Sequence, residues 1–282
     1  RTVMLERGDD LAELAEEAVN RGADALGMAG GDGSLGVVAG VAARHDIPFF
    51  CVPVGTRNHF ALDLGLDRED PLGALDAISD GVEISVDSGS VGGRTFLNNV
   101  SLGLYPAAVK EDGYRDAKIA TFLAVASSPK NGDGDGEPEF RFRTPDGRTH
   151  RTSPMVLVSN NPYNLAGPPD FGRRVRLDAG VLGISALVPA DDGRRRLLEL
   201  LHRPAFQEWV SSGFRVESDS ATIDVGVDGE SIPIATPLEI KTNPRSLRVL
   251  IPRDARPGFR PPLARQAASL DHLVDLSGEP DT

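Results

Sequence analysis

A single cysteine, Cys51, stands among 282 residues, so the chain can form neither an intramolecular disulfide nor a cysteine-based zinc site. Its neighbours Phe49, Phe50 and Val52 make core packing its expected role. No apolar run approaches the roughly 20 residues of a membrane-spanning helix. No segment has the layout of a secretory signal, so a soluble, cytoplasmic protein without a transmembrane segment is expected. The five histidines, His45, His59, His150, His202 and His272, are dispersed, and no pair has metal-ligand spacing. Basic charge is scarce as well. With 30 Lys and Arg against 42 Asp and Glu the formal net charge is -12, which argues against nucleic acid and against general attraction to anionic membranes. Asn131-Gly132-Asp133-Gly134-Asp135-Gly136 opens like an EF-hand loop, yet Phe142 stands where the bidentate Glu is needed, so it reads as a hairpin loop.

What the chain does have is turns. A 40% hydrophobic content with 31 Gly and 21 Pro predicts sheets joined by many turns, and the length allows two domains with proper cores. Residues 9–20 have helical spacing at Leu11, Leu14, Ala15, Ala18 and Val19, with Asp9 or Asp10 as cap and Gly22 as stop. Residues 1–84 alternate strand and helix, which predicts an α/β N-terminal domain with a parallel sheet. Residues 85–252 carry short strands separated by Gly, Asn, Asp and Pro, which predicts an antiparallel, sandwich-like β domain. Helix-like stretches interrupt it at 116–127 and 194–212, and residues 253–282 read as a tail with one short helix at 262–274.

Two glycine turns follow two strand-like runs. The first, Ala29-Gly30-Gly31-Asp32-Gly33-Ser34, lies between an apolar run at 23–29 and a helix-like run at 35–43. Glycine there permits positive φ and close approach of an anion to the amides, and the helix N-terminus adds unpaired N–H groups. The second, Pro53-Val54-Gly55-Thr56, ends the strand at 47–52 and opens at the same sheet edge, before a helical run from His59 to Gly65. Asp32 is the odd member of the first turn. Residues 31–36 formally satisfy G-x-G-x-x-G, but a carboxylate inside the turn would repel a bare pyrophosphate, and the acidic residue expected about 20 positions on is missing. Asp32 therefore reads either as a helix cap or as a group that works with Mg²⁺ or accepts a proton.

Gly30-Gly31-Asp32-Gly33-Ser34, with Pro53-x-Gly55-Thr56-x-Asn58-x-Phe60-Ala61 after it, resembles the catalytic domain of the diacylglycerol kinase and sphingosine kinase superfamily, in its bacterial soluble lipid kinase branch. Three later segments extend the resemblance to about residues 20–252: Phe96-Leu97-Asn98-Asn99-Val100-Ser101-Leu102-Gly103, Val227-Asp228-Gly229-Glu230, and Leu247-Arg248-Val249-Leu250-Ile251-Pro252. Asp228-Gly229 also reads, without any relative, as the turn of a hairpin between 221–227 and 231–234.

The resemblance implies an NAD kinase/diacylglycerol kinase-like fold with the active site in an interdomain cleft. It implies an ATP- and Mg²⁺-dependent enzyme moving the γ-phosphoryl group to a lipid hydroxyl, on diacylglycerol or a related lipid. Carried over by position, Gly30, Gly31, Asp32, Gly33 and Ser34 form the phosphate loop, and Gly55, Thr56 and Asn58 line the nucleotide site. Asp32, Asp228 and Glu230 are the catalytic candidates, and Asp87, Asp228 and Asp178 the metal candidates, although Ala179 interrupts the pattern around Asp178. The expected partners are a lipid at a membrane surface, met peripherally, and optionally a second copy of the chain. Asn160-Asn161-Pro162-Tyr163 reads as a turn in the region that lies near the acceptor pocket in lipid kinases. Arg173-Arg174-Val175-Arg176 and the run at 194–203 are the basic exceptions; for the second, an ordinary helix with a solvated face is preferred to an amphipathic helix touching anionic headgroups. NAD kinases share Gly-Gly-Asp-Gly but have an Asn-Glu dipeptide that is absent here; a degenerate binding module is the other rival. The family's first strand and helix find no counterpart, and residues 2–5 fall where its second strand is expected.

Overall fold

In this computed structural model, residues 1–103, 140–151, 155–164, 173–187, 206–255 and 257 are described. The chain enters through α1 (Leu11–Asn20), where Asp10 accepts the Ala12 and Glu13 amides at 2.9 and 3.1 Å, a side-chain cap on two otherwise orphan donors. Gly22, at φ +89°, turns the chain away from the helix. β1 (Leu26–Gly30), α2 (Asp32–Arg44) and β2 (Phe49–Pro53) follow, and the two strands pair in parallel. α2 is apolar or small on nearly every face, because it is packed against β1, β2 and α1 and also against the second half of the chain. Residues 2–5 form no strand: they pair with nothing among the described residues, and Val3, Met4 and Leu5 are exposed.

After the short helices α3 (His59–Asp63) and α4 (Asp76–Asp80), β3 (Gly81–Val91) and β4 (Arg94–Phe96) form a hairpin, followed by β5 (Asn99–Gly103). The remaining strands are β6 (Phe140–Arg143), β7 (Thr149–Arg151), β8 (Met155–Asn160), β9 (Leu182–Leu187), β10 (Phe206–Ser211), β11 (Gly213–Ser218), β12 (Thr222–Val227), β13 (Glu230–Ala235) and β14 (Leu238–Pro252). They build two sheets. One runs β1-β2-β14-β11-β6-β7, with β3 and β4 branching from β14; the other, β10-β9-β8-β5-β12-β13, is wholly antiparallel. Phe140, Phe142, Phe214 and Ile240 of the first sheet face Val100, Val158, Ile184 and Val225 of the second in one shared core, the sandwich expected from the strand pattern.

A separate core gathers α2, β1 and β2 with Val86, Leu247, Val249 and Ile251. The long strands β3 and β14 thus contribute to both cores, and their pairing shifts register between Asn243 and Leu247, where one core gives way to the other.

Two expectations need correction. The helix-like stretch at 194–212 ends in a strand: residues 206–211 pair with β9, and exposure alternates from Gln207 to Val210, a period of two that the preceding basic run hides. Residues 194–205, like the helices expected at 116–127 and 262–274 and the Asn131–Gly136 loop, lie outside the described residues. The glycines of the first turn do not serve positive φ. Gly30, Gly31 and Gly33 are absent from the left-handed positions, and what glycine supplies is proximity.

That proximity joins the two turns. A Cβ on Gly55 would lie 2.4 Å from Gly31 Cα and 2.8 Å from Gly31 N, so the loops touch backbone to backbone. Gly55→Ala is expected to cost about 1–3 kcal/mol by forcing the loops apart. Gly213→Ala, whose Cβ would meet only Ile240 O at an ordinary 3.7 Å, is expected to stay within about 0.5 kcal/mol. Urea unfolding of both variants checks this, and equal losses would show that the loop contact is not a constraint.

Candidate functional site

Asp32 is the first residue of α2, yet its carboxylate serves another helix. His59 N–H donates to Oδ2 and Phe60 N–H to Oδ1, both at 3.1 Å, so Asp32 caps α3 from across the loop contact. The N-terminus of α2 itself has no side-chain cap. Its unpartnered amides and partial positive charge, at Gly31 to Ser34, are therefore left for an anion. Asn58, in a left-handed conformation at φ +53°, accepts the Gly55 amide at 2.9 Å and donates to the Gly55 carbonyl at 2.6 Å. Both ends of its amide thus shape the second turn, and only Thr56, which is exposed, points a free hydroxyl outward.

The second half of the site arrives on the β12–β13 hairpin. Its two-residue turn, Asp228 at φ +46° and Gly229 at φ +96°, has the paired positive φ of a type I′ turn. Asp228 is buried and accepts three backbone amides: Leu97 at 2.7 Å on Oδ2, and Asn98 at 2.8 Å and Asn99 at 3.0 Å on Oδ1. Burial raises its pKa, the Leu97 amide and its neighbours resist, and the charge of Asp32 adds to the rise, leaving it at about 6. Asp32 and Asp228 are therefore electrostatic neighbours, although 196 positions separate them in the chain.

The glycines of α2 receive this hairpin. A Cβ on Gly33 would lie 2.3 Å from Glu230 Oε1, one on Gly36 3.3 Å from Asp228 Oδ2, and one on Gly40 2.8 Å from Thr95 Oγ1. Spacings of three and four put all three on one helix face. The G-x-G-x-x-G pattern thus seats two carboxylates rather than a dinucleotide. Beside them opens a cleft of about 640 Å³, lined by Gly33, Gly36, Asp228, Glu230, Arg44, Arg94 and the start of α1. The Glu230 side chain makes no hydrogen bond or ion pair among the described residues, although its backbone pairs with Val227.

The proposed metal residues are not brought together. Among the described residues no three His, Cys, Asp or Glu side chains are grouped so as to hold a metal. Asp87 is buried and accepts the Gly180 amide at 2.6 Å and the Arg245 amide at 2.8 Å, so it braces the 177–180 turn against β14. Asp178 is paired with Arg176 at 3.0 Å and Arg245 at 3.6 Å, and the Arg176 hydrogen bond, against a small burial effect, holds its pKa below the usual range. Cys51 is buried, and burial, reinforced by Asp32, pushes its thiol pKa up, which keeps it an inert core residue.

One residue escaped sequence reasoning. Arg174 lies in what reads as a basic surface run, but it is 0% exposed while its apolar neighbour Val175 is 62% exposed. It reaches Asp63 on α3 at 2.7 Å, Asn98 Oδ1 at 2.7 Å, the Asn160 carbonyl at 2.9 Å and the Leu97 carbonyl. Its guanidinium also lies over the Tyr163 ring, 5.8 Å from the centroid, and Tyr163 OH accepts from Asn99 Nδ2 at 3.1 Å. No local pattern marks it, because its partners come from three separate segments, around residues 63, 97–98 and 160–163.

Known proteins carry the same plan. The diacylglycerol kinase catalytic domain family matches residues 1–91. The diacylglycerol kinase of Bacillus subtilis strain 168 is 43% identical over 91 residues, which span 32% of this chain and only 30% of that one. A Pseudomonas aeruginosa protein named "Probable lipid kinase YegS-like" is 30% identical over 257 residues, covering 86% of this chain and 82% of that one. A crystal structure of a diacylglycerol kinase from Bacillus anthracis Sterne superposes with a TM-score of 0.61 over 88% of this chain and 84% of that chain, and at 21% identity this likeness speaks to fold alone. The match over 86% of the chain, taken with the glycine loop and its opposing hairpin, shows that the chain belongs to the diacylglycerol kinase family of lipid kinases, alongside the YegS-like proteins.

Proposed function

We propose that the protein transfers the γ-phosphoryl group of ATP to the hydroxyl of a membrane lipid, diacylglycerol or a close relative. The observation that carries this reading is the seating of Asp228 and Glu230 on the glycine face of α2, immediately after an uncapped helix N-terminus. The amides at the start of α2 hold the phosphates, and the adjoining cleft, at about 640 Å³, suits a nucleotide. Arg94 and Arg44 on its wall offset phosphate charge. The acceptor oxygen attacks the γ-phosphorus, the bond to the bridging β–γ oxygen breaks, ADP departs, and Asp228 takes the hydroxyl proton. Oδ2 is suited to that step: it carries one amide bond where Oδ1 carries two, and Asp228 lines the cleft. A pKa of about 6 keeps Asp228 ionised at neutral pH yet close enough to accept the proton.

The carboxylates of Asp32, Asp228 and Glu230 make no ion pair among the described residues, and Asp32 raises the pKa of Asp228, a setting in which a divalent cation would lower the energy. When bound, Mg²⁺ would supply charge compensation to the phosphates, and Glu230 and Asp228 are the side chains that would hold it. Asp87 and Asp178 keep structural roles. On this reading the lipid is met at the bilayer surface; no helix among the described residues is long and apolar enough to cross a membrane.

Glu230→Gln isolates function from folding. It disturbs no described contact, so stability should hold within about 0.5 kcal/mol while transfer of ³²P from ATP to diacylglycerol in mixed micelles falls. Asp228→Asn should lower transfer by about two to four orders of magnitude and also cost about 1–3 kcal/mol, because an amide cannot accept all three N–H groups. Near-normal turnover by either folded variant would remove that residue from the reaction.

The raised pKa of Asp228 also has a signed consequence in metal-free protein. The folded state holds the proton up to about pH 6 and the unfolded chain releases it near 3.8, so the carboxyl contributes most stability at low pH and loses it as pH rises through that window. Stability of wild type relative to Asp228→Asn should therefore decline from pH 4 to pH 6 and then level off, in urea titrations with chelator present. A difference that grows with pH would mean that the amides, not burial, dominate.

A further inference from the structure

We propose that Arg174 is a positioning residue that holds the two carboxylates Asp32 and Asp228 in register across the two cores. The inference rests on the role given to those carboxylates above and adds what aligns them. A continuous set of contacts runs between them. Asp32 accepts the first amides of α3, at His59 and Phe60; Asp63, at the last position of that five-residue helix, accepts from Arg174 Nε at 2.7 Å. Arg174 then donates to the Leu97 carbonyl and, at 2.7 Å, to Asn98 Oδ1. Leu97 and Asn98 are the residues whose amides, with that of Asn99, fix Asp228. The 97–99 turn is thus gripped on one side by a guanidinium and on the other by the carboxylate it positions.

The energetics point the same way. Arg174 and Asp63 are both buried, with side-chain exposures of 0% and 5%. An ion pair so completely removed from water contributes little net stability compared with well-packed apolar residues of similar size, because desolvating both charges offsets their attraction. What it supplies here is geometry. The guanidinium presents five N–H groups in a rigid plane and meets acceptors on α3, on the 97–99 turn and on Asn160 at once, which a flexible ammonium cannot do. Burial opposes its charge, but Asp63, Tyr163 and Asp228 outweigh that effect and keep it protonated.

Two variants of the full chain test this. Arg174→Lys keeps the charge and loses the fork; Asp63→Leu with Arg174→Met removes both charges while filling the space. Each is examined by amide hydrogen exchange and by steady-state transfer from ATP to diacylglycerol. The expected result is faster exchange at Leu97, Asn98 and Asn99 and at His59 and Phe60, with the rest of the β sandwich unchanged. Alongside it, kcat should fall by about a hundredfold for a displacement near 1 Å, with little change in KM for ATP. Unchanged protection at those five amides in a folded variant would overturn the inference, as would an unchanged kcat. Absence of transfer by wild type would instead overturn the proposed function, and exchange at the five amides would still decide the positioning role. If the double variant fails to fold, Arg174→Lys alone decides both readouts.

Discussion

Three backbone amides converge on one carboxylate, and the arrangement of the site follows from that convergence. Asp228 gathers the N–H groups of Leu97, Asn98 and Asn99, and its own amide donates back to the Asn99 carbonyl at 3.0 Å. The β12–β13 hairpin is thereby fastened to the turn between β4 and β5. Because β4 also packs on α2, the hairpin tip is delivered onto the helix that follows the first glycine turn. A two-residue turn with both φ positive is rigid, so the tip arrives with its side chain aimed rather than free to search. The two sheets could form without this junction; the site could not.

The glycine-rich segment illustrates how one motif can serve several physical ends. Gly55 lies against Gly31 and lets two loops touch, Gly33 and Gly36 make room for Glu230 and Asp228, and Gly40 admits Thr95. None of these glycines is held at positive φ. Contact, not backbone freedom, selects glycine here, and each position answers to a different neighbour. Asp32, inside the same segment, is drawn away from its own helix to cap α3, which leaves the α2 terminus exposed to a ligand.

How legible this was in the sequence depended on the range of the interaction. α1, with Asp10 as cap, and the Asp228-Gly229 turn could be read from a few adjacent residues, since caps and tight turns are set by local backbone chemistry. The parallel start and the sandwich followed from alternation and strand spacing. The roles of Asp87, Asn58 and Arg174 could not be read so. A buried polar side chain is defined by partners brought in from elsewhere: Asp87 by Gly180 and Arg245, and Arg174 by Asp63, Asn98 and Asn160. Residues 206–211 differ from the helical expectation for a related reason, because the spacing read from the charged run before them extends across an alternation only six residues long.

Anchoring a carboxylate and keeping it basic are opposed demands, and Asp228, the base of the proposed reaction, shows how the fold reconciles them. Amides that fix the carboxylate stabilise its ionised form and lower its pKa, so three of them alone would leave a well-placed but weak base. Burial and the nearby charge of Asp32 push the other way, and their sum exceeds the pull of the amides. The result is a carboxylate that is rigid and still able to take a proton near neutrality. Separating the two requires that Asp32 be held at a fixed relation to Asp228. That is a demand on the junction between the cores, and the buried guanidinium of Arg174 is the group that spans it.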